Sequence, residues 1–344
     1  MSEDDYILKV EGLKTYFALA EGSLKAVDGM DFTIPRHKTI GFIGESGCGK
    51  SMAAKSVLRI VPPPGRLIAG KILLRAHTEG RNGNEIDLAQ LDPRGRQIRE
   101  IRGGRISMVF QEPMSSLSPV HTIGDQIVEG ILLHVTDDRT EAKARAIDMI
   151  SRVGISNPYQ RLNEYPHQLS GGMRQRAMIA MALSCSPDLL IADEPTTSLD
   201  VTVQAQIIEL MRRMQEQLGM AILYISHDLG VMAEVASGVN VVYLGRIVEQ
   251  CATEELFRNP LHPYSQGLLR SLLVVGRQVP GRLEAIEGNV PTPLDPPARC
   301  GFFGRCPHGM PGKCDVAVPA LVEVAPGRRV RCFLHSAEEE SRDG

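Results

Sequence analysis

Short apolar runs rich in β-branched residues recur along the first three quarters of the chain, at 38–43, 105–110, 189–192, 221–225 and 239–244. Runs of that length with both faces apolar predict buried parallel strands. Between them the apolar spacing changes to threes and fours. In 140–153, Ala146, Ile147, Ile150 and Val153 lie opposite the charged positions, and in 201–218 Ile207, Leu210, Met211 and Met214 form a similar stripe. That spacing predicts amphipathic helices. Strands and helices in alternation up to about residue 260 predict an α/β sheet with short connections. No segment repeats another.

Past residue 260 the texture changes. Residues 262–273 predict one more helix, and 279–299 carry Pro280, Pro291, Pro293, Pro296 and Pro297, as an extended connector would. The remainder, 300–344, is rich in Gly, Pro and Cys and too poor in large apolar groups to form its own core. It must drape on the main domain or be stapled.

A chain of 344 residues accommodates one large domain with an appendage, or two modest domains. With 43% hydrophobic and 23% charged residues it can bury a core, which excludes a disordered or fibrous protein. The 38 Lys+Arg against 41 Asp+Glu, net −3, argue against a protein held to nucleic acid by bulk charge. No charge-free apolar run reaches the ~18 residues that cross a bilayer. The acidic opening (Glu3, Asp4, Asp5) is unlike a secretory signal, so a soluble, cytosolic protein is expected. Cys48, Cys185 and Cys251 are scattered, whereas Cys300, Cys306, Cys314 and Cys332 crowd the tail. In a reducing compartment such a group points to a metal before a disulfide.

The chemistry begins at Gly44-Glu45-Ser46-Gly47-Cys48-Gly49-Lys50-Ser51, between a predicted strand and a helix-like run. This is the G-x-x-x-x-G-K-S phosphate loop. Its glycines let backbone N–H groups surround phosphate oxygens, and the following helix presents its positive end. Lys50 supplies a charge for the β- and γ-phosphates, and Ser51 a hydroxyl for Mg²⁺. A second strand, 189–192, runs into Asp193 and Glu194, the first placed to hold Mg²⁺ and the second to act as general base on water. Ser170, Gly171 and Gly172, in Leu169-Ser170-Gly171-Gly172-Met173-Arg174-Gln175-Arg176, form another phosphate-binding helix start.

These segments together resemble the ATP-binding subunits of ABC transporters, whose signature reads LSGGQ; Met173 stands where that family most often has Gln. The resemblance extends to Gln111 in Val109-Phe110-Gln111-Glu112-Pro113, to Ser198-Leu199-Asp200, and to His227 in Ile225-Ser226-His227-Asp228. It implies a P-loop nucleotide-binding domain with a mixed sheet core and a helical signature subdomain. It further implies two subunits packed head to tail, each ATP lying between the Lys50 loop of one and the Ser170-Gly171-Gly172 helix of the other. In that scheme Gln111 joins Mg²⁺ and water to the transporter-facing loop, Asp200 of the family's D-loop is a nucleotide-binding residue, and His227 contacts the γ-phosphate. An aromatic near the start, Tyr16 or Phe17 with Phe17 favoured, stacks on adenine.

No membrane helix, long coiled coil or second phosphate loop is present in the sequence, which sets aside exporters, DNA-repair relatives and translation factors of the family. The segment Asn259-Pro260-Leu261-His262-Pro263-Tyr264-Ser265-Gln266-Gly267-Leu268-Leu269 resembles that of the oligopeptide/dipeptide/nickel importer group, as do the Pro-rich connector and the four tail cysteines. Some members of the group bind a [4Fe–4S] cluster through such cysteines, a ligation that suits that cluster. Zinc and unmetallated thiols remain alternatives, and the spacing, without C-x-x-C, argues poorly for a zinc ribbon. The resemblance implies an ATPase domain over 1–260, with its signature subdomain at about 112–180, and a Cys/Pro-rich extension over 261–344. Its implied partners are two membrane permease subunits, a second ATPase subunit (identical or sister) and, indirectly, an extracytoplasmic binding protein, with the chain peripheral on the cytoplasmic face of the membrane. Its cargo would be di- or oligopeptides, with nickel, oligosaccharides, opines or glutathione as alternatives. A soluble switch ATPase acting on nucleic acid or ribosomes is the competing class.

Overall fold

The computed structural model describes residues 5–75, 85–111, 116–197, 199–271 and 286–335. In chain order the strands are β1 (Tyr6–Leu19), β2 (Gly22–Pro35), β3 (Thr39–Ile43), β4 (Gly65–Arg75), β5 (Glu85–Asp87), β6 (Ile106–Val109), β7 (Leu189–Asp193), β8 (Ala221–Ile225), β9 (Gly238–Tyr243), β10 (Arg246–Ala252), β11 (Val322–Ala325) and β12 (Arg328–Val330). They form an antiparallel sheet ordered β2-β1-β4-β5 and a larger one ordered β11-β12-β10-β9-β3-β8-β7-β6. In the larger sheet β9, β3, β8, β7 and β6 are parallel, while β10, β12 and β11 extend it antiparallel.

The central strands explain their own composition. Leu189 and Ile191 of β7, with Ala221, Leu223 and Ile225 of β8, join a core shared with Leu8, Val10, Val27, Met30 and Ile34 of the antiparallel sheet. Their neighbours Leu190, Ala192, Ile222 and Tyr224 face the helices on the other side. With both faces covered, alternation disappears and a continuous apolar run remains. The strands β1, β2 and β4 are not singled out by the hydrophobic pattern. Register shifts at Val10/Leu13 and Thr15/Tyr16 interrupt their period, and polar residues line their outer face.

The two predicted amphipathic helices occur at Arg139–Arg152 and Val201–Leu218. Asp138 and Asp200 cap them by accepting from Thr140 N and Val203 N, and Gly219 closes the second at φ 66°. The helix expected over 262–273 is Pro263–Arg270, started by His262, whose Nδ1 accepts from Tyr264 N; residues 272–285 lie outside the described residues.

The described residues from 286 onward pack against the preceding part of the chain. Lys25 N donates to Pro293 O and Asp295 N to Ser23 O, both at 2.9 Å, which fastens the connector beside β2. Phe302, 3% exposed, sits edge-on to Tyr243 and Tyr264. Strand β12 then pairs with β10, Val330 opposite Glu249. The core-poor tail therefore shares a core with the preceding residues. Among the described residues no helix is long and apolar enough to cross a membrane.

Candidate functional site

Four adjacent parallel strands, β3, β8, β7 and β6, deliver their C-terminal ends to one place, where open α/β sheets bind ligands. From β3 comes the loop 44–49, followed by the helix Lys50–Val57. Gly49 caps that helix at φ 106°, and a Cβ there would fall 2.2 Å from Ala26 O, so only glycine fits. Gly44 is equally constrained, with Val242 O 2.2 Å from any Cβ. Ser46 and Gly47 form the exposed tip of the loop, while Cys48 is buried, which pushes its thiol pKa up. Lys50 is itself buried, its ammonium held by Gly44 O at 2.7 Å and Glu45 O at 3.0 Å.

From β7 come Asp193 and Glu194. Asp193 Oδ1 accepts from Ser51 Oγ at 2.8 Å. Burial raises the Asp193 carboxyl above its ordinary pKa; the neighbouring Glu194 charge adds to this, while the Ser51 hydrogen bond opposes it. A buried carboxylate beside a second one is a place where a cation lowers the energy. Glu194, left-handed at φ 48° and buried, has Oε2 accepting from Gln111 Nε2 and from Thr197 Oγ1, both at 3.0 Å. Its Oε1 lies 3.3 Å from His227 Nδ1, which enters from the end of β8. Gln111 follows β6. Six residues from four separate stretches of sequence (Lys50, Ser51, Gln111, Asp193, Glu194, His227) thus line one polar site.

The signature residues stand apart from this cluster. Ser170 caps the helix Gly171–Leu183 by accepting from Met173 N, and the Ser170-Gly171 turn is solvent-exposed. No neighbouring atom lies within 4 Å of a Cβ at Gly171; at Gly172 the nearest is Val203. Buried Gln175 of that helix donates to Pro195 O, linking it to the residue after Glu194. Asp200 is exposed at its helix cap; Ser198, Glu112 and Pro113 lie outside the described residues. Phe17 packs on Gly65, where a Cβ would come within 2.5 Å of its ring. The Tyr16 hydroxyl donates to Asp28, which also pairs with Arg246.

Cys300, Cys306, Cys314 and Cys332 line one small cavity with Phe302, Phe303 and Met310. Cys300 N donates to Cys314 O at 2.9 Å. Burial raises the thiols of Cys300, Cys306 and Cys332, the last to about 11, with the other tail cysteines adding to the effect. All four are free of disulfides. Among the described residues no three His, Cys, Asp or Glu side chains stand as a ready metal site. The donor set of four thiols suits a cluster; their arrangement is not that of a formed one.

The sequence pattern did not point to Thr197, three residues after Glu194, nor to Tyr264 and Arg305, which reach the phosphate loop from the extension. Thr197 sits at a legible offset; the other two contacts are tertiary and leave no local signal.

Comparison with known proteins agrees with this arrangement. Residues 27–197 match the ABC transporter family and 248–314 match the oligopeptide/dipeptide transporter C-terminal region. The chain is 46% identical to the oligopeptide transport ATP-binding protein AppD of Bacillus subtilis, over 96% of this chain and 98% of that one. It is 41% identical to the dipeptide transport ATP-binding protein DppD of Escherichia coli, over 95% and 96%. Among solved structures, an ATP-binding cassette dimer with ADP and Pi bound superposes with a TM-score of 0.62 at 22% identity, over 72% of this chain and 98% of that one. The cbiO1 protein of Clostridium perfringens, part of the ABC transporter complex cbiONQ, gives 0.60 at 28% identity, over 74% and 92%. By these matches the chain belongs to the ABC transporter family, among the ATP-binding subunits that carry the oligopeptide/dipeptide transporter C-terminal region.

Proposed function

We propose that this ABC ATPase powers the import of di- or oligopeptides through a membrane permease. The observation that carries the reading is the convergence of Lys50, Ser51, Gln111, Asp193, Glu194 and His227 at the ends of four neighbouring strands, on a chain whose relatives include oligopeptide and dipeptide transport subunits.

In this reading the loop from Gly44 to Ser51 receives the phosphates, and Phe17, whose ring has no polar commitment, stacks on adenine. Ser51, Asp193 and Gln111 would hold Mg²⁺, which when bound neutralises phosphate charge. Glu194 takes the proton of the attacking water as general base. His227, beside Glu194 and half-exposed, holds the γ-phosphate side of the site. Ser170, Gly171 and Asp200 are exposed and Gly172 is half-buried beside Val203; these four serve the ATP of a second ATPase subunit, so the γ-phosphate joins two protomers and its loss lets them separate. That cycle would drive two permease subunits fed by an extracytoplasmic binding protein, with the chain peripheral on the cytoplasmic face. Residues 1–260 are the ATPase domain, with the signature subdomain at about 112–180, and 261–344 the importer-type extension. Cys300, Cys306, Cys314 and Cys332 would hold a [4Fe–4S] cluster, zinc being the alternative. That assignment rests on the donor set, and the cluster's service is to staple the tail.

The test is ATP turnover by the chain reconstituted with its permease subunits. Stimulation by the permease together with peptide-loaded binding protein, and none by DNA or ribosomes, is the expected result. Stimulation by nucleic acid or ribosomes alone overturns the import reading.

A further inference from the structure

The side chain and backbone of Glu45, the second residue of the phosphate loop, are both held from outside the loop. Arg305 Nη1 donates to Glu45 Oε2 at 2.8 Å and Nη2 to Oε1 at 2.9 Å, a two-pronged pair in which the Arg305 side chain is 7% exposed. The rest of that guanidinium is also committed: Nε donates to Glu287 O and Nη2 to Gly288 O, both at 3.0 Å, and Nη1 reaches Tyr243 Oη at 3.4 Å. Glu45 N donates to Tyr264 Oη at 2.8 Å. The carbonyl of the same residue accepts from Lys50 Nζ. A chain of contacts therefore runs from the extension through Glu45 to the lysine that faces phosphate.

Charge gives the contact a purpose. A carboxylate inside a loop built for a triphosphate opposes its ligand unless something neutralises it. Within the motif Lys50 is the cation, and it is reserved for phosphate. Arg305, more than 250 residues downstream by the separation of 260 between the paired residues, supplies the second positive charge.

We propose that Arg305 is a positioning residue of the ATP site: it cancels the charge of Glu45 and fixes the loop around Lys50, so the extension sets the affinity of the ATPase domain for ATP. Because it acts on the loop and not on the reacting atoms, its loss weakens ground state and transition state alike. Arg305→Ala is expected to raise KM for ATP about tenfold, the scale of one charge-assisted contact, while kcat in the assembled transporter stays within about twofold. Arg305→Lys, which retains the charge and loses the fork, is expected to fall between the two, about threefold above the parent. In a Glu45→Gln background the Arg305→Ala change is expected to lose most of its effect, because the charge it answers has gone.

The inference rests on the Lys50 loop being the phosphate site. Lys50→Ala is therefore measured in the same assay with mant-ATP as the probe. Parent-like nucleotide affinity in Lys50→Ala overturns both readings. Lost affinity there beside a parent-like KM in Arg305→Ala overturns this one alone. A fall in kcat at constant KM, or effects of Glu45→Gln and Arg305→Ala that simply add, overturns it too. Should Arg305→Ala not fold, the Arg305→Lys series decides: an unchanged KM refutes the proposal, and a rise reversed by Glu45→Gln supports it.

Discussion

Replacing Glu194 by Gln isolates the chemical step, and the geometry explains why. Glu194 Oε2 accepts two hydrogen bonds at 3.0 Å, from Gln111 and Thr197, and Oε1 faces His227 Nδ1 at 3.3 Å. An amide oxygen in the Oε2 position keeps both donors satisfied. The amide NH₂ then meets His227 Nδ1, which accepts in the appropriate tautomer. Glu194→Gln therefore loses almost no packing and keeps the Gln111 and Thr197 donors paired, whereas Glu194→Ala would take this acceptor from both. What disappears is the proposed proton acceptor, which general-base catalysis values at roughly 10²–10⁴-fold. At about 1.4 kcal/mol per decade that is a barrier increase of about 2.8–5.6 kcal/mol. Turnover in the reconstituted transporter should fall by that factor while ATP affinity is retained. The uncleaved γ-phosphate should also trap an ATP-bound dimer, visible by size-exclusion chromatography. Hydrolysis at the parental rate would refute the base assignment, and loss of nucleotide binding would show that the variant disturbs more than the proton transfer.

Two further outcomes are expected. Protein purified without oxygen should be brown and carry about four iron atoms per chain, both lost in Cys314→Ser; a colourless, iron-free sample removes the cluster, and zinc in its place would favour the alternative. The second concerns acid. Burial, with a smaller contribution from His335, pushes the His262 imidazole down from 6.5 to about 3, and its Nδ1 must be unprotonated to cap the Pro263–Arg270 helix. The unfolded chain gains that proton near 6.5 and the folded one does not until about 3. The group's stabilisation is therefore complete above pH ~6.5 and declines as pH falls toward 3, by up to about 1.4 kcal/mol per pH unit. His262→Asn, which can still accept at the cap, should flatten the decline in denaturation midpoint between pH 7 and 5. An identical slope in both proteins would refute the argument.

The sequence was most legible where burial is two-sided. The runs at 189–192 and 221–225 became β7 and β8 because both faces of those strands are covered, which leaves an unbroken apolar signature. Lys50, Ser51, Asp193 and Glu194 were legible after two predicted strands as one candidate phosphate site, and the fold does bring these four together at the ends of neighbouring strands. The antiparallel sheet was not legible, since bulges in β1 shift its period and its outer face is polar. The engagement of the Tyr16 hydroxyl with Asp28 is a tertiary contact that no spacing reveals. Arg305 was invisible for the same reason: a guanidinium preceding Cys306 resembles any solvated charge until the fold places it against Glu45.

The pairing of β12 with β10 bears on how this protein can be cut. Trimmed after Arg270, the polypeptide would present the backbone donors and acceptors along β10 to solvent and bare the rings of Tyr243 and Tyr264, the kind of edge that recruits strands from other molecules. The ATPase portion is thus not a portable motor for grafting onto foreign scaffolds. Shortened versions should clump.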